Sequence, residues 1–106
     1  MSNELADRFH KEMILLYEKA LDECGYKARI FIHMIRDKGG VETAKSLLQV
    51  RGHPEGLTVL WEKKRLDISV EALVLESQWS TLFTKGELDV AEKRLNELGY
   101  KGISEE

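Results

Sequence analysis

An apolar stripe with the period of an α-helix runs through the first part of the chain and constrains its fold more than any other feature. Its members are Leu5, Phe9, Met13, Leu16 and Ala20. Intervals of three and four residues place these side chains on one face of a helix. Ser2 or Asn3 can cap its beginning, and Gly25 can end it in the left-handed conformation. We therefore expect a helix from about Asn3 to Cys24 that buries one face against other helices.

The next part of the chain repeats this pattern in shorter helices. The expected inward-facing sets are Ala28, Phe31, Ile32 and Ile35 in a second helix; Val41, Ala44, Leu47 and Leu48 in a third; Leu57, Leu60 and Trp61 in a fourth; and Val70, Leu73 and Val74 in a fifth. Gly39 and Gly40 separate the second from the third, and a loop over residues 51–56 precedes the fourth. Asp67 or Ser69 is placed to cap the fifth.

The last helix has the clearest start signal. Thr84 and Glu87 have the spacing of a capping box, and Phe83 and Leu88 occupy the two positions of a hydrophobic staple. Gly99 supplies a stop of the same kind as Gly25. No segment has the sustained alternation of a half-buried strand. The sequence therefore predicts an all-α fold, a single compact bundle of five or six short helices.

Length and composition predict one domain. The chain has 106 residues, of which 42% are hydrophobic and 33% charged, as is typical of a globular protein. We expect one helical domain over residues 1–106, with a core at about 3–100 and a frayed tail at 101–106.

Cysteine content and hydropathy predict the compartment. Cys24 is the only cysteine, which excludes an intramolecular disulfide and a thiolate metal cluster within one chain. The charged N-terminus lacks the apolar run of a signal peptide, and no stretch approaches the roughly 20 apolar residues of a membrane span. We expect a cytoplasmic protein with no membrane partner.

Positive charge is concentrated in the middle of the chain. Residues 27–65 contain nine Lys and Arg against four Asp and Glu, although the whole chain has a net charge of −3. Two helices joined by a glycine-bearing turn could form a helix-turn-helix reader of DNA. Its cations would be Arg29, Arg36, Lys45, Lys63, Lys64 and Arg65. The connection over residues 50–56 is longer than the usual turn of that motif, so we favour a solvated basic face or one that docks an acidic partner.

The three histidines form no metal-binding or catalytic motif. His10 and His33 lie on different predicted helices and His53 in a loop, without the spacing of metal ligands. Phosphate loops, nucleophile elbows and paired-carboxylate motifs are absent from the sequence, and a small chain leaves little room for a substrate-sized pocket. Cys24 lies at the negative end of a helix dipole, where a thiolate is disfavoured. We expect structural or solvent-exposed roles for the histidines, no metal or cofactor, and no enzymatic activity.

The two tryptophans differ in their sequence surroundings. Trp61 falls on an apolar helix face typical of a core, whereas Trp79 lies in the polar segment QWSTLF, so we expect partial exposure and a partner-anchoring role for Trp79.

A charged cluster comprises Glu62, Arg65, Asp67 and Glu71. Glu62 and Arg65 are one helical turn apart, and we favour a structural tie between two helices over the alternative of a polar ligand site.

Five segments spread over nearly the whole chain form a pattern of apolar and charged residues. They are FHKEM at 9–13, GYKARIFIHMI at 25–35, GGVETAKSLL at 39–48, GLTVLWEKKRLDISVEALVL at 56–75 and LGY at 98–100. The pattern resembles a family of small helical domains of bacterial proteins with no assigned activity. Its most specific part is LWE followed by RLD and EALVL. The resemblance implies an all-helical domain of bacterial origin, and it supplies no catalytic residues.

These observations predict a non-enzymatic helical interaction module that binds a protein partner or self-associates. The expected binding residues are Arg29, His33, Arg36, Lys63, Lys64, Arg65 and Trp79. The alternative is a nucleic-acid-binding domain that uses residues 27–65, whose binding would weaken steeply with salt. A protein-binding surface would depend instead on aromatic or aliphatic anchors. A small enzyme is a third alternative, and it would require a deep pocket with a histidine beside a carboxylate.

Overall fold

The predicted all-α fold is confirmed. A computed structural model describes residues 4–100, and within this range it contains helices and no strand. The helices are α1 (Glu4–Cys24), α2 (Arg29–Leu48), α3 (Glu55–Glu62), α4 (Val70–Val74) and α5 (Lys85–Glu97), with short 3₁₀ helices at Leu66–Ile68 and Ser77–Leu82. The expected caps Ser2 and Asn3 and the expected tail at 101–106 lie outside the described residues.

The apolar stripe of α1 forms the centre of the core. Phe9, Met13, Leu16 and Ala20 are buried as predicted. The ring of Phe9 meets Trp79 and Phe83 edge-on, at centroid separations of 5.4 and 5.3 Å. Because edge-to-face contacts are a favourable geometry for aromatic rings, these three rings fix the 3₁₀ helix before α5 against α1.

The glycine pair at 39 and 40 separates two helical segments, as predicted. Gly39 has φ 87° and ψ 165°, which is not a helical conformation, so α2 consists of the second and third predicted helices, which meet at a kink at Gly39. The backbone N–H of Gly40 donates to Nδ1 of His10 at 2.9 Å. A Cβ on Gly40 would lie only 2.6 Å from Cα of His10. α1 and α2 therefore approach closely at this point, which requires glycine.

Local signals at the helix ends agree with the sequence. The capping box of Thr84 and Glu87 is present at the start of α5, and the Ser69 hydroxyl accepts from the Ala72 N–H at the start of α4. Gly25 and Gly99, at φ 66° and 79°, end α1 and α5. The predicted caps and stops at these positions are confirmed.

The end of α3 was not anticipated. Lys64 takes the left-handed conformation there, with φ 62°, and the Arg65 N–H donates to the Leu60 carbonyl at 2.8 Å. This hydrogen bond is that of a Schellman ending, in which glycine is the usual residue at the position of Lys64. The chain can then turn directly into the 3₁₀ helix Leu66–Ile68.

A buried ion pair joins three helices. Glu71 of α4 and Arg94 of α5 are 2% and 4% exposed, and Nη1 of Arg94 lies 2.9 Å from Oε2 of Glu71. The same guanidinium donates to the Leu47, Leu48 and Val50 carbonyls at 3.0, 3.4 and 2.6 Å. These carbonyls belong to the end of α2 and the residues after it. Arg94 therefore donates to carbonyls at and just after the end of α2, of which that of Leu47 also accepts from the Val50 N–H at 3.3 Å.

Candidate binding groove

A pocket of about 490 Å³ opens between α1, α2 and α3, and we call it the groove. Its apolar lining includes Leu16, Tyr17, Ala20, Ala28, Ile30, Phe31, Met34, Leu47, Pro54, Leu57, Leu60, Ile68 and Val70. Leu16, Leu57 and Leu60 are buried core residues, so the groove reaches the core. Its volume lies within the about 300–1,000 Å³ typical of ligand pockets. The expectation that so small a chain lacks such a pocket is wrong.

Ile30 stands at the edge of the groove and is 76% exposed. It is the most exposed of the large hydrophobic side chains in the described part of the chain. Met34 lies one helical turn further along α2 and also lines the groove. An exposed aliphatic side chain beside an open apolar pocket is typical of a binding surface.

The polar groups at the groove differ between its two walls. Lys27 and Arg29 line it at the beginning of α2, and Glu55 lines it at the beginning of α3. Tyr26 also lines the groove, and its pKa is raised by burial and by the nearby charge of Glu55. The phenol is therefore a protonated hydrogen-bonding group at neutral pH, and the α2 wall is positive where the α3 wall is negative.

Three of the predicted binding residues form a row on α2. Arg29, His33 and Arg36 are all exposed, and their spacing places them on one face of the straight part of α2, before the kink at Gly39. We call them the basic row. No ion pair or side-chain hydrogen bond involves any of the three within residues 4–100. Since Arg29 also lines the groove, the row begins at its edge.

Two other predicted cations are already paired. Arg65 donates to both carboxylate oxygens of Asp67 at 3.0 and 3.1 Å and lies 2.6 Å from Glu23. Lys45 contacts Glu87 at 2.8 Å and lies over the ring of Phe83. These contacts make Arg65 and Lys45 structural, so the expectation that Arg65 belongs to the binding surface, or Lys45 to a phosphate-binding one, is not supported.

Lys63 and Lys64 are exposed in the turn that ends α3. Lys64 lines a second pocket with Trp61, Leu98 and Tyr100, whereas Arg29 lines the groove. The predicted basic surface is therefore divided between two places on the molecule.

The expectations for the two tryptophans are reversed by the structure. Trp79 is 3% exposed, and its indole N–H donates to Oε1 of Glu76 at 3.3 Å. Trp61, which was expected in the core, is 46% exposed. The polar neighbours of Trp79 face outward on a 3₁₀ helix while its ring packs on Phe9. Trp79 is therefore a core residue, and its expected role as a partner anchor is wrong.

The charged cluster near α4 is also distributed differently from the prediction. Arg65 ties the end of α3 to Asp67 and to α1 through Glu23, which confirms a structural tie at this corner. Its partner is not Glu62, which has no ion pair among the described residues. Glu71 points inward to Arg94, a residue 23 positions away that the sequence pattern did not single out.

The histidines take three different environments. His10, expected on an ordinary polar face, accepts the Gly40 N–H in the contact between α1 and α2. His33 is exposed in the basic row, and His53 contacts Glu97 with Nε2 at 2.9 Å from Oε1, outside the groove. Among the described residues that line the groove there is no histidine or cysteine. Residues 4–100 hold no group of three or more His, Cys, Asp or Glu placed to bind a metal.

Comparisons with known proteins give no relative for this chain. No family model matches it, and neither the curated proteins nor the solved structures contain a significant match. None of the helices in the described range is both long enough and apolar enough to cross a membrane. The function must therefore be inferred from the groove and its surroundings.

The groove left only a partial signal in the sequence. The spacing of Arg29, His33 and Arg36 predicts a binding row, whereas no sequence pattern predicts Ile30, Met34 and Tyr26 as site residues. Ala28, Phe31 and Leu57 were expected to face inward, and they do line the groove. The sequence pattern does not give the distance between α2 and α3, which leaves the half-buried Ala28 and Phe31 at an open groove whose floor includes the buried Leu57.

Proposed function

We propose that the protein is a non-enzymatic helical interaction module that binds a segment of a protein partner in the groove. The observation that carries this proposal is the exposure of Ile30 at the edge of an apolar pocket whose floor is the core. A helix or an extended segment that inserts apolar side chains would cover Ile30 and fill the pocket. Aliphatic and aromatic anchors of this kind supply most of the free energy at protein interfaces.

Self-association through the groove is the other form of the same proposal. A second copy would have to present an apolar side chain to the groove, and Leu15, Leu21 and Trp61 are partly exposed. Sedimentation at several protein concentrations distinguishes the two forms. A wild-type dimer that dissociates in Ile30→Asp would indicate self-association through the groove. A monomeric wild-type protein would indicate that the groove binds a different protein.

Selection from a library of helix-forming peptides tests the proposal. Peptides enriched on the wild-type protein are then measured by fluorescence anisotropy against Ile30→Asp and against Leu15→Asp. Leu15 is the matched control because it is exposed at 42% and does not line the groove. We expect Ile30→Asp to weaken binding by about tenfold or more, the effect of losing one anchor, while Leu15→Asp leaves it unchanged. Equal effects of both changes, or failure to enrich any peptide, would contradict the proposal.

Nucleic-acid binding remains the second candidate. It is supported by exposed cations without an ion pair in the described range, among them Arg29, Arg36, Lys63 and Lys64. The engagement of Lys45 and Arg65 by carboxylates speaks against it. A mixed-sequence duplex that binds with a steep salt dependence, and no longer binds Lys63→Glu/Lys64→Glu, would favour this candidate.

A further inference from the structure

The basic row, like most exposed cations among residues 4–100, has no carboxylate partner, and Arg29, unlike most of those cations, also lines the groove. Lys45, Arg65, Lys85 and Arg94 each contact an Asp or Glu of the same chain. Arg29 and Arg36 contact none in the described part of the chain, and both are exposed. The chain is acidic as a whole, with a net charge of −3, so carboxylates are plentiful elsewhere. Two arginines on one helix face without a carboxylate therefore leave positive potential that an external acidic group can meet.

The basic row and the groove run side by side along the same helix. Ile30 follows Arg29 at about 100° around the helix axis, and Met34 follows His33 in the same way. The row spans seven residue steps, which is about 10 Å along the axis. Arg29 is the member of the row that lines the groove, so a partner lying there meets an apolar strip beside the positive charge of Arg29, and His33 and Arg36 continue the row along the helix from that point.

We propose that the partner segment is an amphipathic helix with acidic residues along one border of its apolar face. Its apolar side chains fill the groove beside Ile30 and Met34, and its carboxylates lie against Arg29 and Arg36. An i, i+4, i+7 arrangement on the partner repeats the spacing of the row and matches it along about two turns. This inference rests on the proposed function, and it adds the chemistry of the partner.

Charge on the remaining borders orients the segment. Glu55 lines the α3 wall, so the acidic border of the partner is disfavoured there and must face α2. Asp37 follows Arg36 at the far end of the row and reduces the positive potential at that end. At the near end, Lys27 adds its positive charge to that of Arg29, and both residues line the groove. The densest acidic charge of the partner therefore lies next to the beginning of α2.

Three synthetic helical peptides test this inference. The first has leucines at i, i+4 and i+7 with glutamates beside them, the second replaces those glutamates with lysines, and the third replaces the leucines with alanines. Each is labelled and titrated by fluorescence anisotropy at low and moderate salt. Only the acidic peptide with leucines should bind the wild-type protein well, and its affinity should fall with salt because two or three exposed charge pairs contribute.

Charge reversal in the protein supplies the complementary arm. Arg29→Glu/Arg36→Glu should lower the affinity for the acidic peptide by roughly tenfold and raise the affinity for the lysine peptide, since each exposed charge pair contributes up to about fivefold in affinity. The matched control is Lys11→Glu/Lys93→Glu, two exposed cations on α1 and α5 that lie outside the groove lining, and it should change little. Thermal unfolding followed by circular dichroism verifies that all variants fold.

The outcomes separate this inference from the proposed function. If acidic and lysine peptides bind equally and both are lost in Ile30→Asp, the interaction module stands and the acidic partner is rejected. If no peptide binds and Ile30→Asp changes nothing, both are rejected. Binding of a nucleic-acid duplex that is lost in Arg29→Glu/Arg36→Glu but retained in Ile30→Asp would overturn the inference in favour of nucleic acid.

Discussion

Arg94 donates to Glu71 at 2.9 Å inside the protein, and through this pair the last helix supports the floor of the groove. Glu71 lines the groove although its carboxylate is directed to Arg94. The guanidinium also donates to carbonyls at the end of α2, including Val50 at 2.6 Å. A single side chain of α5 thus holds α4 and the C-terminal end of α2 in place, and these contribute to the groove lining through Glu71 and Leu47.

Removing Arg94 should destabilise the protein more than removing Glu71. Arg94→Met leaves the buried Glu71 carboxylate without its cation and removes the guanidinium hydrogen bonds to the Leu48 and Val50 carbonyls, and we expect a loss of about 3–5 kcal/mol in the free energy of unfolding. Glu71→Gln retains an acceptor for the guanidinium, which keeps its carbonyl partners, so a loss of about 1–3 kcal/mol is expected. Urea denaturation measures both values. The exposed neighbour Lys93 is the control, and Lys93→Met should change stability by less than about 0.5 kcal/mol.

Two glycine-to-alanine changes should have opposite signs. Gly40→Ala places a Cβ 2.6 Å from Cα of His10, a backbone atom, so α1 and α2 must separate and a loss of about 1–3 kcal/mol is expected. Gly86 lies near the beginning of α5, and a Cβ added there would have its nearest neighbour, Oγ1 of Thr84, at 3.9 Å. We therefore expect Gly86→Ala to raise the free energy of unfolding by about 0.5–1 kcal/mol. Thermal and urea unfolding of the two variants decide the point. Equal stabilities would contradict the close contact of α1 and α2.

Replacing Lys64 with glycine should stabilise the protein. Its φ of 62° is a conformation that costs an ordinary residue about 1 kcal/mol and glycine much less. Because glycine is also more flexible in the unfolded chain, the net gain should be about 0.5–1 kcal/mol. Lys63 is the matched control, since it precedes Lys64 with φ −91° and Lys63→Gly should destabilise instead. A destabilised Lys64→Gly variant would show that the lysine side chain contributes to the fold.

Stability should fall in acid partly through Glu87. Burial by itself raises the pKa of Glu87, but hydrogen bonds from Lys45 and Thr84 outweigh it, so the folded-state pKa lies below the ordinary 4.5. A lowered folded-state pKa means that this contribution is present above pH 4.5 and is lost as the pH falls through the folded value. The hydrogen bond from Arg65 lowers the pKa of Asp67 and adds to the same trend.

Lys45→Met isolates the Glu87 contribution. The variant should be less stable than the wild-type protein at neutral pH, and the difference between the two should shrink as the pH falls below 4.5. Urea denaturation at a series of pH values measures this difference, and Lys93→Met again serves as the control. A difference that stays constant down to strong acid would contradict the pairing of Lys45 with Glu87.

Features that depend on neighbouring residues could be predicted from the sequence. The caps at Ser69 and Thr84 and the stops at Gly25 and Gly99 are local, because each involves residues within one or two turns. The stripe of α1 was likewise sufficient to identify its buried face. The basic row is predictable for the same reason, since its members lie on one helix.

Features that depend on tertiary packing could not be predicted from the sequence. Trp79 has polar neighbours in sequence, yet its ring packs on Phe9, some 70 residues away along the chain. Glu71 and Arg94 meet only because α4 and α5 pack together. The groove likewise depends on how far α2 lies from α3, a distance that helical periodicity does not encode.

The most direct test of the account is the position of a bound peptide on the protein. Two-dimensional amide NMR spectra of the labelled protein are recorded while the acidic amphipathic peptide is added. We expect the largest shift changes at Tyr26, Ile30, Phe31, Met34 and Leu57, with little change on the outer face of α5. Changes centred on Lys63 and Lys64, or on α5 alone, would contradict the groove as the binding site.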